Sequence, residues 1–203
     1  MMNVLVLGDE HSYGCGLRAG QLSYVGHLIR QVSRAGQSIQ VEVHMPPTAC
    51  CLVNTLSQLP LHQYDLILVQ TERIADELKN PINWPGVTWP LIWPGRTPVP
   101  LTELLTRLRP FRHTVVLLTP LPHPNRAIRE RRTKLRKLLM RKADRQMFSL
   151  FDTSERLLPR PEYFIGNGSS MLSATSHELL GRSLYAFYQS APTIVTVQPI
   201  RRG

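Results

Sequence analysis

The stretch Asn3 to Gly16, NVLVLGDEHSYGCG, constrains this chain more than any other. Val4, Leu5, Val6 and Leu7 form an unbroken apolar run that stops at Gly8-Asp9. A short run of this kind, closed by a turn signal, reads as a strand buried on both faces, which is the habit of parallel sheets. In open parallel sheets ligands gather beyond the carboxyl ends of the strands. Asp9, Glu10, His11, Ser12 and Cys15 therefore stand where a site is expected.

The remaining pattern repeats strand and helix in alternation. Leu17 to Ala35 carries Leu22, Val25, Leu28, Ile29 and Val32 at helical spacing and ends at Gly36. Ile39 to Met45 alternates as a strand, and Cys50 to Leu59 reads as a short helix stopped by Pro60. Asp65 to Gln70, Thr114 to Leu118 and Met147 to Phe151 supply strands three, four and five, and Leu172 to Tyr188 a last helix. The prediction is an α/β fold, a three-layer α/β/α sandwich around a five-stranded parallel sheet, flavodoxin-like, with right-handed crossovers. Residues 1–190 form one domain in this reading, and 191–203 a tail that adds an edge strand or frays.

Two segments stand apart. Residues 80–100 hold Trp84, Trp89 and Trp93, each followed by proline, so this is expected to be an irregular insertion serving as a lid, a contact surface or a self-anchored loop. Residues 126–145 carry ten Lys or Arg against Glu130 and Asp144, most of the chain's net +10. Ile128, Leu135, Leu138 and Leu139 would form the apolar stripe of that helix, and its basic side is either a solvated face or a docking face for an anionic partner. Nucleic acid fits poorly, because no aromatic stacking array and no helix-turn-helix signature accompany the basic run. Cys15, Cys50 and Cys51 lack the spacing of a zinc site and are expected as reduced thiols, with Cys15 a small buried one. The N-terminus shows neither a basic leader nor a membrane-length apolar run, so a cytoplasmic location away from membranes is expected.

The opening stretch resembles the first block of the SGNH/GDSL hydrolase superfamily, in which a strand runs into Gly-Asp-Ser and a glycine follows. Gly8, Asp9 and Gly14 match that pattern, and Glu10 occupies the position of the nucleophilic serine. The family's second block brings a glycine, which His44 to Cys50 lacks. Its third reads Gly-x-Asn-Asp, where this chain continues Gln70-Thr71-Glu72-Arg73; a Glu72 carboxylate would repel an oxyanion rather than donate to it. Its fifth brings an aspartate and a histidine ahead of the last helix, and here Asn167 and Ser170 take those places.

Two functional readings follow. In the first, the family's catalytic positions (Glu10, Asn167, Ser170) have lost their chemistry, and the protein binds a ligand or a partner without cofactor or metal. Gly8, His44, Glu72, His123 and the three tryptophans are then its binding candidates. In the second, an ester hydrolase has rebuilt its site from groups at the strand ends, with or without a metal. Asp9, Glu10, His11, Ser12, His44, Glu72, His123 and Asp152 supply the carboxylates, imidazoles and hydroxyl for that. Ser12 and Cys15 are alternative nucleophiles, whereas His177 reads as a surface or packing residue, and His27 and His113 likewise.

Overall fold

A computed structural model describes residues 1–77, 99–166 and 169–190. Five parallel strands form one sheet, β1 (Met2–Leu7), β2 (Ile39–His44), β3 (Leu66–Gln70), β4 (Val115–Leu118) and β5 (Ser149–Phe151), in the order β2-β1-β3-β4-β5. The register sets Leu7 opposite both His44 and Val69, so these three carboxyl ends lie level. β1 and β3 are central, which is why Val4–Leu7 and Leu66–Val69 are unbroken apolar runs, whereas β2 at the edge alternates Ile39, Val41 and Val43 with Gln40, Glu42 and His44.

The two-residue period of a strand divides each apolar run between two cores. Leu5, Leu7, Ile67, Val69, Val115 and Leu117 face one side, packed under α3 (Ala49–Gln58), α5 (Val99–Leu108) and α6 (Arg126–Gln146). Val4, Val6, Leu66, Leu68, Val116 and Leu118 face the other, under α2 (Tyr24–Arg34) and α7 (Ala174–Ser190). Each such side chain contributes about 1.5–3 kcal/mol when fully buried. The layers therefore follow directly from the alternation. At the crossing of α2 and α7, a Cβ on Gly181 would lie 2.6 Å from the Tyr24 carbonyl oxygen, so this contact admits only glycine without a shift of a helix.

Several boundaries differ from expectation. The first crossover helix starts at Tyr24, not Leu17, because Ser23 caps it by accepting from the Gly26 amide, while Gly14, Gly16 and Gly20 take left-handed conformations upstream. Strand five starts at Ser149, since Met147 at φ 57° closes α6. Leu172 precedes the last helix and bridges Phe164 instead. Within the basic helix the stripe is deepest at Leu135, Leu139 and Ala143, with Ile128 and Leu138 half-buried. Cys15 is exposed, in the turn after the short helix α1 (Glu10–Tyr13), rather than a buried thiol.

Two helices were not expected. A short one, α4 (Glu72–Glu77), starts immediately after β3. α5 takes Val99 and Pro100 out of the irregular segment, with Pro100 in its first turn, where the missing N–H has no helical partner to lose. The three tryptophans, Asn167 and the 191–203 tail lie outside the described residues. No helix among the described residues is long and apolar enough to cross a membrane.

Candidate functional site

The site is built where β1 and β3 end. Asp9, in extended conformation, caps α1 by accepting the His11 amide at 2.9 Å on Oδ1. Gly8 makes room for what lies beneath the turn, since a Cβ there would collide with Ser12 Oγ and sit 2.6 Å from Gln70 Oε1. Gln70, the polar end of an otherwise apolar strand, accepts from the Asp9 amide at 2.8 Å and from Ser12 Oγ at 2.7 Å through the same oxygen.

Those two bonds fix the protons around Ser12. Because Gln70 Oε1 receives a backbone N–H it must be the oxygen, and Ser12 Oγ must therefore donate to it. The Tyr24 hydroxyl, 2.9 Å from Ser12 Oγ, is then the donor of that pair. Ser12 is buried, with its one proton committed to an amide oxygen rather than to a base. This arrangement does not activate a nucleophile.

His177 joins from α7. It is fully buried, not a surface histidine; its Nδ1 accepts the Tyr24 amide at 3.1 Å, so its proton is on Nε2, which has no partner. Burial, together with His11 and His27 nearby, pushes its pKa down to about 3, and the ring is neutral at ordinary pH. The His11 ring lies 6.1 Å from it, also buried, with Nδ1 unpartnered. Burial lowers the His11 pKa and Arg132 adds to this, while the Asp9 carboxylate pulls the other way.

Glu72 is the most unusual group. Only 2% exposed, it accepts the Leu121 amide at 2.6 Å on Oε1, and its Oε2 has no partner. Burial first, and then the neighbouring Asp9 carboxylate, raise its pKa to about 8, against the opposing pull of Arg132. The direction of this shift favours the protonated form of Glu72.

Glu10 points outward. Its carboxylate is held by Arg73 at 2.6 Å, both side chains being partly exposed. Burial opposes ionisation of Glu10, but its own backbone N–H and the Arg73 guanidinium outweigh it and lower its pKa. Arg132, reaching in from α6, donates to the Leu121 carbonyl at 2.9 Å and pairs with Asp76 at 3.2 Å. Asp9, His11, Gln70, Ser12, Tyr24 and His177 are thus buried polar groups at the carboxyl ends of β1 and β3, with Glu72 at the start of α4 and the Glu10–Arg73 pair beside them. Leaving a buried polar atom unpaired costs about 1–3 kcal/mol. His11 Nδ1, Gln70 Nε2, Glu72 Oε2 and His177 Nε2 are all unpaired here. An ordinary core avoids such an accumulation, and so it marks a site.

Other candidates sit elsewhere. The His44 imidazole pairs with Glu42 at 2.6 Å on the edge strand, and Tyr64 binds the other oxygen of that carboxylate. His123 Nδ1 accepts the Asn125 amide at 3.0 Å at the entry to α6. Asp152 is held by Arg136, Thr119 and Ser154, a structural clamp between α6 and β5. Ser170 is half-buried beside Ser169, whose Oγ caps the Met171 amide. Among the described residues no three or more His, Cys, Asp or Glu side chains converge as metal ligands. Gln70, Tyr24 and Arg132 were not singled out from sequence; a polar residue ending the run LILVQ was the available signal for Gln70.

Neither protein-family models nor curated proteins match this sequence. Solved structures do. A G-D-S-L-family protein from Desulfitobacterium hafniense DCB-2 superimposes with a TM-score of 0.64 at 13% identity, covering 92% of this chain and 99% of that one. The chain has an SGNH/GDSL-hydrolase fold. The M. smegmatis aryl esterase (TM-score 0.61, 15% identity, 94% and 99% covered) also superimposes on this chain. So does the family 3 carbohydrate esterase of Clostridium thermocellum (0.62, 17%, 91% and 94%). On that fold, the buried polar group lies at the carboxyl ends of the central strands, the end at which open α/β sheets bind ligands.

Proposed function

We propose that this SGNH-fold protein binds a small polar ligand at the β1–β3 end and does not cleave esters through a serine triad. The observation that carries this reading is the Glu10–Arg73 ion pair, which occupies the position where the resemblance places the nucleophile. Ser12, the nearest hydroxyl, is buried and donates to Gln70, so it is no substitute. The four unpaired buried atoms support this reading, since a ligand that satisfied them would recover their desolvation penalty. Structural neighbours described as esterases support the fold of the site and carry no further weight at such low identity.

A second reading has one observation in its favour. A buried acid, Glu72, beside an acidic residue, Asp9, is the pairing from which general acid/base hydrolysis is built. Turnover of short-chain p-nitrophenyl esters by the full chain separates the two. No turnover, together with stabilisation by a small-molecule panel, supports the binding reading. Turnover that survives Ser12→Ala and Cys15→Ala but disappears in Glu72→Gln supports the rebuilt hydrolase. Loss of turnover together with a bound divalent ion in His44→Ala would make that hydrolase metal-assisted.

A further inference from the structure

Ten of the chain's cations lie on α6, and several are spent within the fold. Arg132 pairs with Asp76, Arg136 with Asp152 and Arg126 with Glu130, while Arg131 donates to the Ala127 carbonyl. Lys134, Lys137, Arg141 and Arg145 are exposed and have no carboxylate partner among the described residues. Their spacing puts them in one line on the side of the helix opposite Leu135, Leu139 and Ala143, with about 4.5–6 Å of rise between neighbours. Stability does not account for this line. Lys137 with Arg141, and Arg141 with Arg145, are like charges at i,i+4, which oppose a helix rather than support it. A merely solvated face intersperses the two signs, as Arg126 and Glu130 do at the start of α6.

Two methionines accompany the cations. Met140, 41% exposed, follows Lys137 by one turn, and Met147, 67% exposed, closes the helix at φ 57°, a left-handed position that glycine takes at lower cost. Unbranched thioether side chains adapt to the surface they meet. One carboxylate interrupts the basic face: Asp144, just before Arg145, is exposed and has no ion pair among the described residues. The unbroken negative charge of a nucleic-acid backbone or an anionic bilayer would be repelled there, whereas a polypeptide can set a cation or an amide opposite it. We propose that the outward face of α6 docks an acidic amphipathic helix of a partner protein, its carboxylates along Lys134, Lys137, Arg141 and Arg145 and its apolar residues against Met140 and Met147. Carboxylates four residues apart on such a helix recur at about 6 Å, which matches the rise between these cations. The interaction uses no residue of the β1–β3 site and stands independently of the ligand-binding reading.

The test titrates the full chain into a labelled helical peptide of about 18 residues, with Glu at every fourth position and Leu beside each, at about 0.15 M salt. The comparison probes are the same peptide with Gln for Glu, a short DNA duplex, and phosphatidylcholine–phosphatidylserine vesicles. The Glu peptide should bind, and the Gln peptide about tenfold more weakly or worse. Replacing Lys134, Lys137, Arg141 and Arg145 together with Gln should weaken the Glu peptide by about tenfold or more, with circular dichroism confirming the fold. Met140→Ala with Met147→Gly should weaken it about threefold, a loss that charge alone does not produce. Asp144→Asn should strengthen binding to DNA and vesicles while leaving the Glu peptide within about twofold. Failure of the Glu peptide to bind, or binding that survives loss of the four cations, overturns the proposal. Tighter binding of the duplex or the vesicles than of the peptide also overturns it and assigns the face to a uniform polyanion.

Discussion

Arg73 reaches from the start of α4 to hold the Glu10 carboxylate at 2.6 Å, tying the turn after β1 to the turn after β3. Both partners are partly exposed, so the pair contributes modestly, about 0.2–1 kcal/mol in a double-mutant cycle of Glu10→Gln and Arg73→Gln. Urea denaturation of the four proteins measures this. The coupling should shrink as salt is raised, because partly exposed charges are screened. Its contribution has the sign of a depressed carboxylate: present above the unfolded pKa and lost as pH falls through the folded one.

Glu72 produces the opposite pH dependence. Its folded pKa is raised from 4.5 to about 8, so across that interval the unfolded chain has released a proton that the folded chain retains. Rising pH therefore favours unfolding through this window and has no further effect through Glu72 above it. Thermal unfolding of the wild type should lose stability from mildly acidic pH towards about 8, and Glu72→Gln should flatten that slope. An identical slope in the variant would remove Glu72 as its cause.

Gly8→Ala should be among the most destabilising single substitutions in the chain. The new methyl would collide with Ser12 Oγ, and Ser12→Ala does not relieve it, because Ser12 Cβ would remain at 2.8 Å and Gln70 Oε1 at 2.6 Å. Overpacking of this kind costs about 1–3 kcal/mol or more. The melting temperature of Gly8→Ala, alone and with Ser12→Ala, checks both statements.

On α6, Lys134, Lys137, Arg141 and Arg145 form an exposed ridge with no carboxylate partner among the described residues, while Arg132 and Arg136 turn inward to Asp76 and Asp152. Replacing the four ridge cations with Gln should change stability by no more than about 0.5 kcal/mol each. Arg136→Gln should do more, because it leaves the enclosed Asp152 without its cation. Urea unfolding ranks them, and retention on an anionic heparin matrix distinguishes a docking face for anions from a merely solvated one.

The strands were legible because each is a short apolar run ended by a turn signal, and central burial forbids polar interruptions. The start of α2 was not: Leu17 and Leu22 extend its apolar spacing, but the Ser23 cap and the left-handed glycines before it outweigh that spacing. α5 could have been read, since Leu101, Leu104, Leu105 and Leu108 follow the helical period, but the adjoining prolines obscured it. At the site, Asp9 and Glu72 could be placed at strand ends from sequence. The raised pKa of Glu72 could not, because it arises from burial and from Asp9, a residue 63 positions away. Likewise His177 joins Tyr24 only through the packing of α7 on α2.

The proposed absence of serine-triad chemistry rests on Glu10, tethered by Arg73 at the position where the resemblance places the nucleophile. Steady-state hydrolysis of p-nitrophenyl acetate by the full chain tests it most directly, with wild type, Ser12→Ala and Glu10→Ser compared against a buffer blank. Wild type should match the blank, and so should both variants, since Glu10→Ser restores a hydroxyl without a base to activate it. Wild-type turnover that Ser12→Ala abolishes would contradict the account.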